Sequence, residues 1–498
     1  MAPAHAASTA PSHERGRRAP VQSHLLEQDM IFWRVKPLDQ ILETAAKKSL
    51  KRQLGAFQLT MLGIGAIIGT GIFVLSAVAA NLAGPGMMIS FVIAATVCAL
   101  AALCYAELAS MVPVSGSAYT YTYAVLGELV AWVVGWALVL EYAVAASAVS
   151  VGWSGYVVGL IRHSVFDFPQ ALAAGPLDPV PGVVNLPAVL VALGVTGLLV
   201  IGTSKSAAVN AVLVAIKILA LTAFIAIALP VSNSANYQPF LPTGFHGVFA
   251  ASATIFFAYV GFDAVSTAAE ETKDPRRTMP IGIIGSLAIC TIFYLLIAAA
   301  MIGSVGAQPG GELARSAEPL AYVMRAIGWA WTGNAIAIAA GLALPSVILM
   351  MIYGQTRIFF VMSRDGLLPE VFSKIHPRFH TPHVITILTG IFVATFAGLF
   401  PLDWLADISN AGTLFAFFLV SLAVLILRKT QPTRYRPFST PWAFIICPLA
   451  MAGCAFLFFS LKGNTEFLFL IWALMGLVVY YFYGRRRSHL ANGTAPQS

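Results

Sequence analysis

A chain of 498 residues has the length of two or three soluble domains, but 58% of its residues are hydrophobic and only 10% charged, against about 25% charged in globular proteins. So little charge cannot cover a water-facing surface, and the chain reads as an all-α integral membrane protein. Its formal net charge of +8 has to be located before it can be taken as a nucleic-acid signal.

The first 56 residues are polar, with an Ala/Pro/Ser/Arg-rich start that resembles neither a folded segment nor a signal peptide. From Met30 to Lys51 apolar residues alternate with lysines. This pattern fits a helix lying on a membrane surface, and equally a solvated linker. Twelve apolar runs follow, near residues 57–80, 86–111, 126–159, 185–203, 208–230, 247–270, 281–306, 334–364, 382–400, 403–428, 442–461 and 464–484. Each is long enough to cross a hydrocarbon core that takes roughly 20 helical residues. The third and eighth are too long for one upright span and predict tilt or projection beyond the bilayer. With the N-terminus inside, the inner segments hold 24 of the 29 Lys and Arg residues and the outer loops four. Both termini are therefore expected to be cytoplasmic, in the cytoplasmic membrane. The basic excess then reflects topology and contact with anionic lipid, and no nucleic-acid partner is needed. The five cysteines (Cys98, Cys104, Cys290, Cys447, Cys454) sit in apolar runs without ligand spacing, so no disulfide framework, metal or cofactor is expected.

The first run carries Gly63, Gly65, Gly69 and Gly71 within nine positions. Glycine costs about 1 kcal/mol against alanine in a helix, so this density predicts an opened helix, although Gly65-xxx-Gly69 alone also fits a close helix-packing face. The sixth run repeats the signal: Phe256-Phe257-Ala258-Tyr259-Val260-Gly261-Phe262-Asp263 is an apolar helix interrupted at glycine. Two interrupted helices at matching places in two five-helix halves are the arrangement of inverted-repeat transporters. Amides at Gly69 to Gly71 would bind a carboxylate, and freed carbonyls at Phe257 to Val260 would accept an ammonium. A ligand with both groups is an amino acid.

Ionisable residues within spans are functional candidates. Lys217 lies at midplane depth in the fifth run, too deep for its head to reach a surface easily, and is a candidate proton-coupling residue. Glu107, Glu141 and Asp263 are its acidic counterparts, with a structural role as the competing reading for Glu107. Gly63-x-Gly65 has its next glycine one place late for a dinucleotide fingerprint and no βαβ context, so a nucleotide-binding enzyme is set aside.

These residues carry a resemblance. Gly63 to Leu75 (GIGAIIGTGIFVL), Cys104 to Tyr123, Leu140 to Tyr156, Phe256 to Pro280 and Tyr353 to His383 resemble the amino acid-polyamine-organocation superfamily, most of all bacterial members of its cationic amino acid transporter branch. The resemblance covers about residues 30–485. It implies twelve transmembrane helices, a five-plus-five inverted repeat with helices 1 and 6 broken, and two further C-terminal helices. The divisions are a tail (1–56), a core (57–428, with halves 57–230 and 247–428), a final helix pair (442–484) and a second tail (485–498). The resemblance also implies a substrate site at Ile68, Gly69, Thr70 and Gly71 and at Phe257, Ala258, Tyr259, Val260 and Gly261, with Phe257 as an aromatic gate. Lys217 matches the lysine that stands at the cation position of sodium-coupled relatives, and Asp263, Glu141 and Glu107 match acids associated with coupling. One departure is Pro345, where a small or hydroxyl residue is expected in span eight; it predicts a lost backbone donor and a kink. The expected function is secondary active transport of neutral L-amino acids with protons, by alternating access. The alternatives are an exchanger of cationic amino acids or amines, or a non-transporting amino acid sensor of the same fold.

Overall fold

The computed structural model describes residues 34–36, 38, 54–114, 116–164, 166–202, 207–379 and 381–490. The surface helix expected over Met30 to Lys51 therefore falls outside the described residues, apart from 34–36 and 38. Helix is the regular secondary structure of the described residues, with one isolated bridge between Leu54 and Thr272.

All twelve apolar runs carry helix. The first holds three pieces, α1 (Ala56–Ile67), α2 (Thr70–Phe73) and α3 (Leu75–Ala83), followed by α4 (Met87–Met111), a short α5 (Ser117–Val125), α6 (Glu128–Ser164), α7 (Leu186–Ile201) and α8 (Ala207–Ala228). The sixth run begins as α9 (Gly244–Ile255) and tightens to a 3₁₀ turn over Phe256–Tyr259; a second 3₁₀ stretch covers Asp263–Glu271. Then come α10 (Pro275–Val305), α11 (Pro319–Ala326), α12 (Ala330–Arg364), α13 (His383–Leu399), α14 (Leu402–Thr430), α15 (Ala443–Phe458) and α16 (Thr465–Val479). Among the described residues, seven helical stretches are long and apolar enough to cross a membrane, and five shorter apolar helices fill the remaining runs. At 1.5 Å per residue the 37 residues of α6 extend roughly 55 Å. That exceeds the ~30 Å core, as its run length predicts.

α6 is the axis of the assembly, with α12 and α14 packed along it, while α10 packs on α1 and α4. Lipid offers no hydrophobic drive between helices, so close packing and satisfied polar groups hold the bundle. The contact of α6 with α16 illustrates this: Trp136 and Trp472 stack at 4.8 Å. Each indole nitrogen donates to the other's carbonyl at 2.9 Å. Pro345 does not end its helix, since α12 runs unbroken from Ala330 to Arg364.

Candidate functional site

Both glycine-marked helices are open, by different means. In the first, Ile68 (ψ 96°) and Gly69 (φ −145°, ψ −151°) are extended, so α1 stops and α2 starts afresh. In the sixth, the helix tightens before it stops. Val260 is extended (ψ 137°) and Gly261 turns the chain at φ +121°, a region that favours glycine. A Cβ at Gly261 would also lie 2.9 Å from the carbonyl of Ala66, and one at Gly71 would lie 2.2 Å from the Cα of Ala258. The two breaks therefore touch backbone to backbone, and a side chain at either glycine would part them.

Between them is a narrow cavity of about 10 Å³, room for about one water molecule. Gly69, Thr70 and Gly71 form one wall and Phe257 and Val260 another. The other predicted site residues stand behind these walls. Ile68 is buried, and Ala258 packs on Gly71 and Gly261 on Ala66. Tyr259 turns away, its hydroxyl donating to the carbonyl of Phe91 at 3.1 Å. The remaining lining is Ala66, Ile67, Val149, Val347 and Met351, none of which the sequence reading named. Val347 and Met351 are one turn apart on α12, just beyond Pro345. Proline is thus beside the pocket wall and not in it.

Lys217 is fully buried on α8, its ammonium donating to the carbonyl of Gly65 at 2.8 Å. Gly65 is in the last turn of α1, where carbonyls lack intrahelical partners and a cation is favoured. Asp263 is equally buried: it accepts from the Tyr142 hydroxyl at 2.9 Å and from the Gly261 amide at 3.2 Å, tying the second break to α6. Glu141, next to Tyr142, is close enough to Asp263 for the two carboxyls to interact electrostatically. The Thr413 hydroxyl, which donates to the carbonyl of Ser409, stands near its carboxylate, and neither oxygen has a donor in hydrogen-bond geometry among the described residues. Lys217 thus serves the first break and Asp263 with Glu141 the second. Glu107 lies apart, chelated by Arg428 at 2.8 and 2.7 Å and bonded by Arg436 at 3.1 Å and the Thr440 amide at 2.8 Å. That is the geometry of a structural clamp between α4 and the segment joining α14 to α15.

Two further residues serve the breaks. The Tyr294 hydroxyl on α10 is 3.0 Å from the carbonyl of Ile67 and 2.9 Å from that of Ala258. One O–H serves both carbonyls, donating to one of them at a time. On α14, the Asn410 amide donates to the carbonyls of Ala253 and Thr254. At the other end of the site a vestibule of about 700 Å³ reaches Val74 and Gly152 from the side of Arg162, Glu318 and Arg325. Thr70, packed on Gly152, separates it from the cavity.

A family model for amino acid permeases matches residues 54–480. The chain belongs to this family. Among similar proteins is the branched-chain amino acid permease BcaP of Bacillus subtilis (strain 168), 50% identical over 463 residues that cover 92% of this chain and 99% of that protein. The methylthioribose transporter of the same organism is 43% identical over 461 residues, 92% and 99% of the two chains. Cationic amino acid transporter 4 of Mus musculus is 34% identical over 412 residues, 80% of this chain and 63% of that one. The permease is thus a multi-pass membrane protein of an amino acid transport family, and the all-helical membrane fold expected from its sequence is the one observed among the described residues.

Proposed function

We propose that this permease moves neutral L-amino acids with aliphatic side chains across the cytoplasmic membrane, with protons, by alternating access, both termini being cytoplasmic. The observation that carries the reading is the cavity between the two broken helices. Its backbone walls offer amides at Gly69 to Gly71 for a carboxylate and carbonyls at Phe257 to Val260 for an ammonium. Its side-chain walls (Ile67, Val149, Val260, Val347, Met351) hold no charge. An arginine or lysine substrate would bury an unpaired charge there at a cost of several kcal/mol. A leucine would gain contact. The names of two relatives, a branched-chain amino acid permease and a methylthioribose transporter, also fit a small ligand with an apolar end.

Proton coupling is assigned to Lys217, Asp263 and Glu141. An amine holds the last turn of α1 more strongly as a cation than as the neutral group, which keeps N–H donors but loses the charge, so the break can change shape with protonation. Residues 57–230 and 247–428 then act as the two inverted repeats. The vestibule is the outer approach, and Thr70 against Gly152 is its closure.

The test is uptake of a labelled panel (leucine, isoleucine, valine, arginine, methylthioribose) into liposomes holding the purified protein, under an imposed proton gradient, a sodium gradient or neither. Accumulation of the aliphatic amino acids driven by protons alone is expected. Strict sodium dependence overturns the role of Lys217. Preferred uptake of arginine overturns the apolar-wall argument, and tight binding without uptake makes the protein a sensor.

A further inference from the structure

We propose that Asn410 is a positioning residue for the substrate's ammonium group, acting through the backbone of the sixth run. Asn410 is fully buried on α14, and its side-chain nitrogen stands 2.8 Å from the carbonyl of Ala253 and 3.2 Å from that of Thr254. Two carbonyls facing one side of the amide fix its orientation, because only the NH₂ end can donate to them. These carbonyls lie in the last turn of α9, at the junction where α-helical pairing gives way to the 3₁₀ turn of Phe256–Tyr259. In a continuous α-helix they would pair with the amides of residues 257 and 258. Asn410 supplies a donor at the change of register, where the Thr254 carbonyl also accepts from the Phe256 amide, and the register decides which carbonyls beyond it are left open.

The neighbouring residues of α14 extend the same brace. Asp407 accepts from the Thr254 hydroxyl at 2.9 Å, and Ser409 donates to the carbonyl of Glu141 at 3.2 Å. Polar residues of α14 therefore hold both the end of α9 and the backbone of α6 at Glu141. Asn410 does not line the cavity. Its influence on a ligand passes through the carbonyls of Phe257 to Val260, so the inference rests on the reading that these carbonyls receive an ammonium.

The experiment measures competition binding to the purified full-length protein in lipid nanodiscs, with leucine and its deaminated analogue 2-hydroxy-4-methylpentanoate as probes. The wild type should prefer leucine. In Asn410→Leu, which keeps most of the volume and removes the donor, that preference should shrink at least tenfold through weaker leucine binding, with the analogue unchanged. Asn410→Gln, which keeps an amide, should retain most of the preference. If Asn410→Leu does not yield monodisperse protein, the comparison of Asn410→Ser with Asn410→Gln carries the same expectation. Equal weakening of both ligands, or no change in either, overturns the positioning role. A wild type that binds the analogue as well as leucine overturns the ammonium reading itself, a different failure that the same titration distinguishes.

Discussion

Glu107 and Glu141 are glutamates on adjacent membrane-crossing helices, each only 1% exposed, and their surroundings are opposite. Glu107 is met by two guanidinium groups and a backbone amide. Glu141 has no donor to either oxygen among the described residues, and has Asp263 within electrostatic reach. A carboxylate so fully paired is an ion held in place. One with no guanidinium or backbone amide in hydrogen-bond geometry is not held as an ion in that way. Burial of an acid in a membrane therefore marks importance without saying of which kind; the donors around it say which.

The largest effect expected from this contrast is on stability. Glu107→Ala takes away the carboxylate shared by Arg428 and Arg436, which keep neutral hydroxyl and carbonyl acceptors, and breaking a buried pair by removing one partner costs about 3–5 kcal/mol. Thermal unfolding of the purified protein should drop accordingly, while the pH dependence of uptake per folded molecule stays as in the wild type. Unchanged stability with an altered pH profile would make Glu107 a coupling residue and erase the contrast.

Glu141→Gln should do the reverse. It removes an ionisable group without removing a hydrogen bond, so unfolding should shift by no more than about 1 kcal/mol, while proton-driven accumulation should fall about tenfold, ~1.4 kcal/mol in coupling terms. Lys217→Met should lose accumulation to a similar degree, with downhill exchange retained. If the two act in one proton-transfer cycle, the double variant should be no worse than either alone, since residues acting as a unit are not additive. Additive losses would separate them into independent roles.

The part of this arrangement legible in the sequence is the part that local chemistry encodes. Four glycines in nine residues mark the break before α2, and Gly261 marks the positive φ after the 3₁₀ turn. Lys217 was legible because a lysine nine residues into an apolar run has nowhere else to go. What the sequence could not show is pairing across long separations: Arg428 and Arg436 reach Glu107 from 321 and 329 residues away, and Asn410 reaches Ala253 from 157. Val149, Val347 and Met351 look like any other apolar residues of their helices until the packing brings them to one cavity. For Glu107 the sequence left a structural and a coupling role open, because the spacing of a lone acid says nothing about its donors.

Glu318, outside the spans, stands between the two extremes and gives the smallest effect. One carboxylate oxygen is paired with Arg325 and lies 3.7 Å from His163, while the other is buried without a donor among the described residues. Burial pushes its carboxyl above the usual glutamate range, with Arg325 and His163 opposing. A group with a raised folded value holds its proton to higher pH in the folded than in the unfolded state. Its contribution is fully present below the ordinary glutamate value and is lost as pH rises through the folded one. On a His163→Gln background, the melting temperature relative to that of an added Glu318→Gln substitution should rise by about 1–2 °C between pH 7 and pH 4.5. A difference that falls on acidification would mean that Arg325 outweighs burial, and Glu318 would then join Glu107 as a fixed ion.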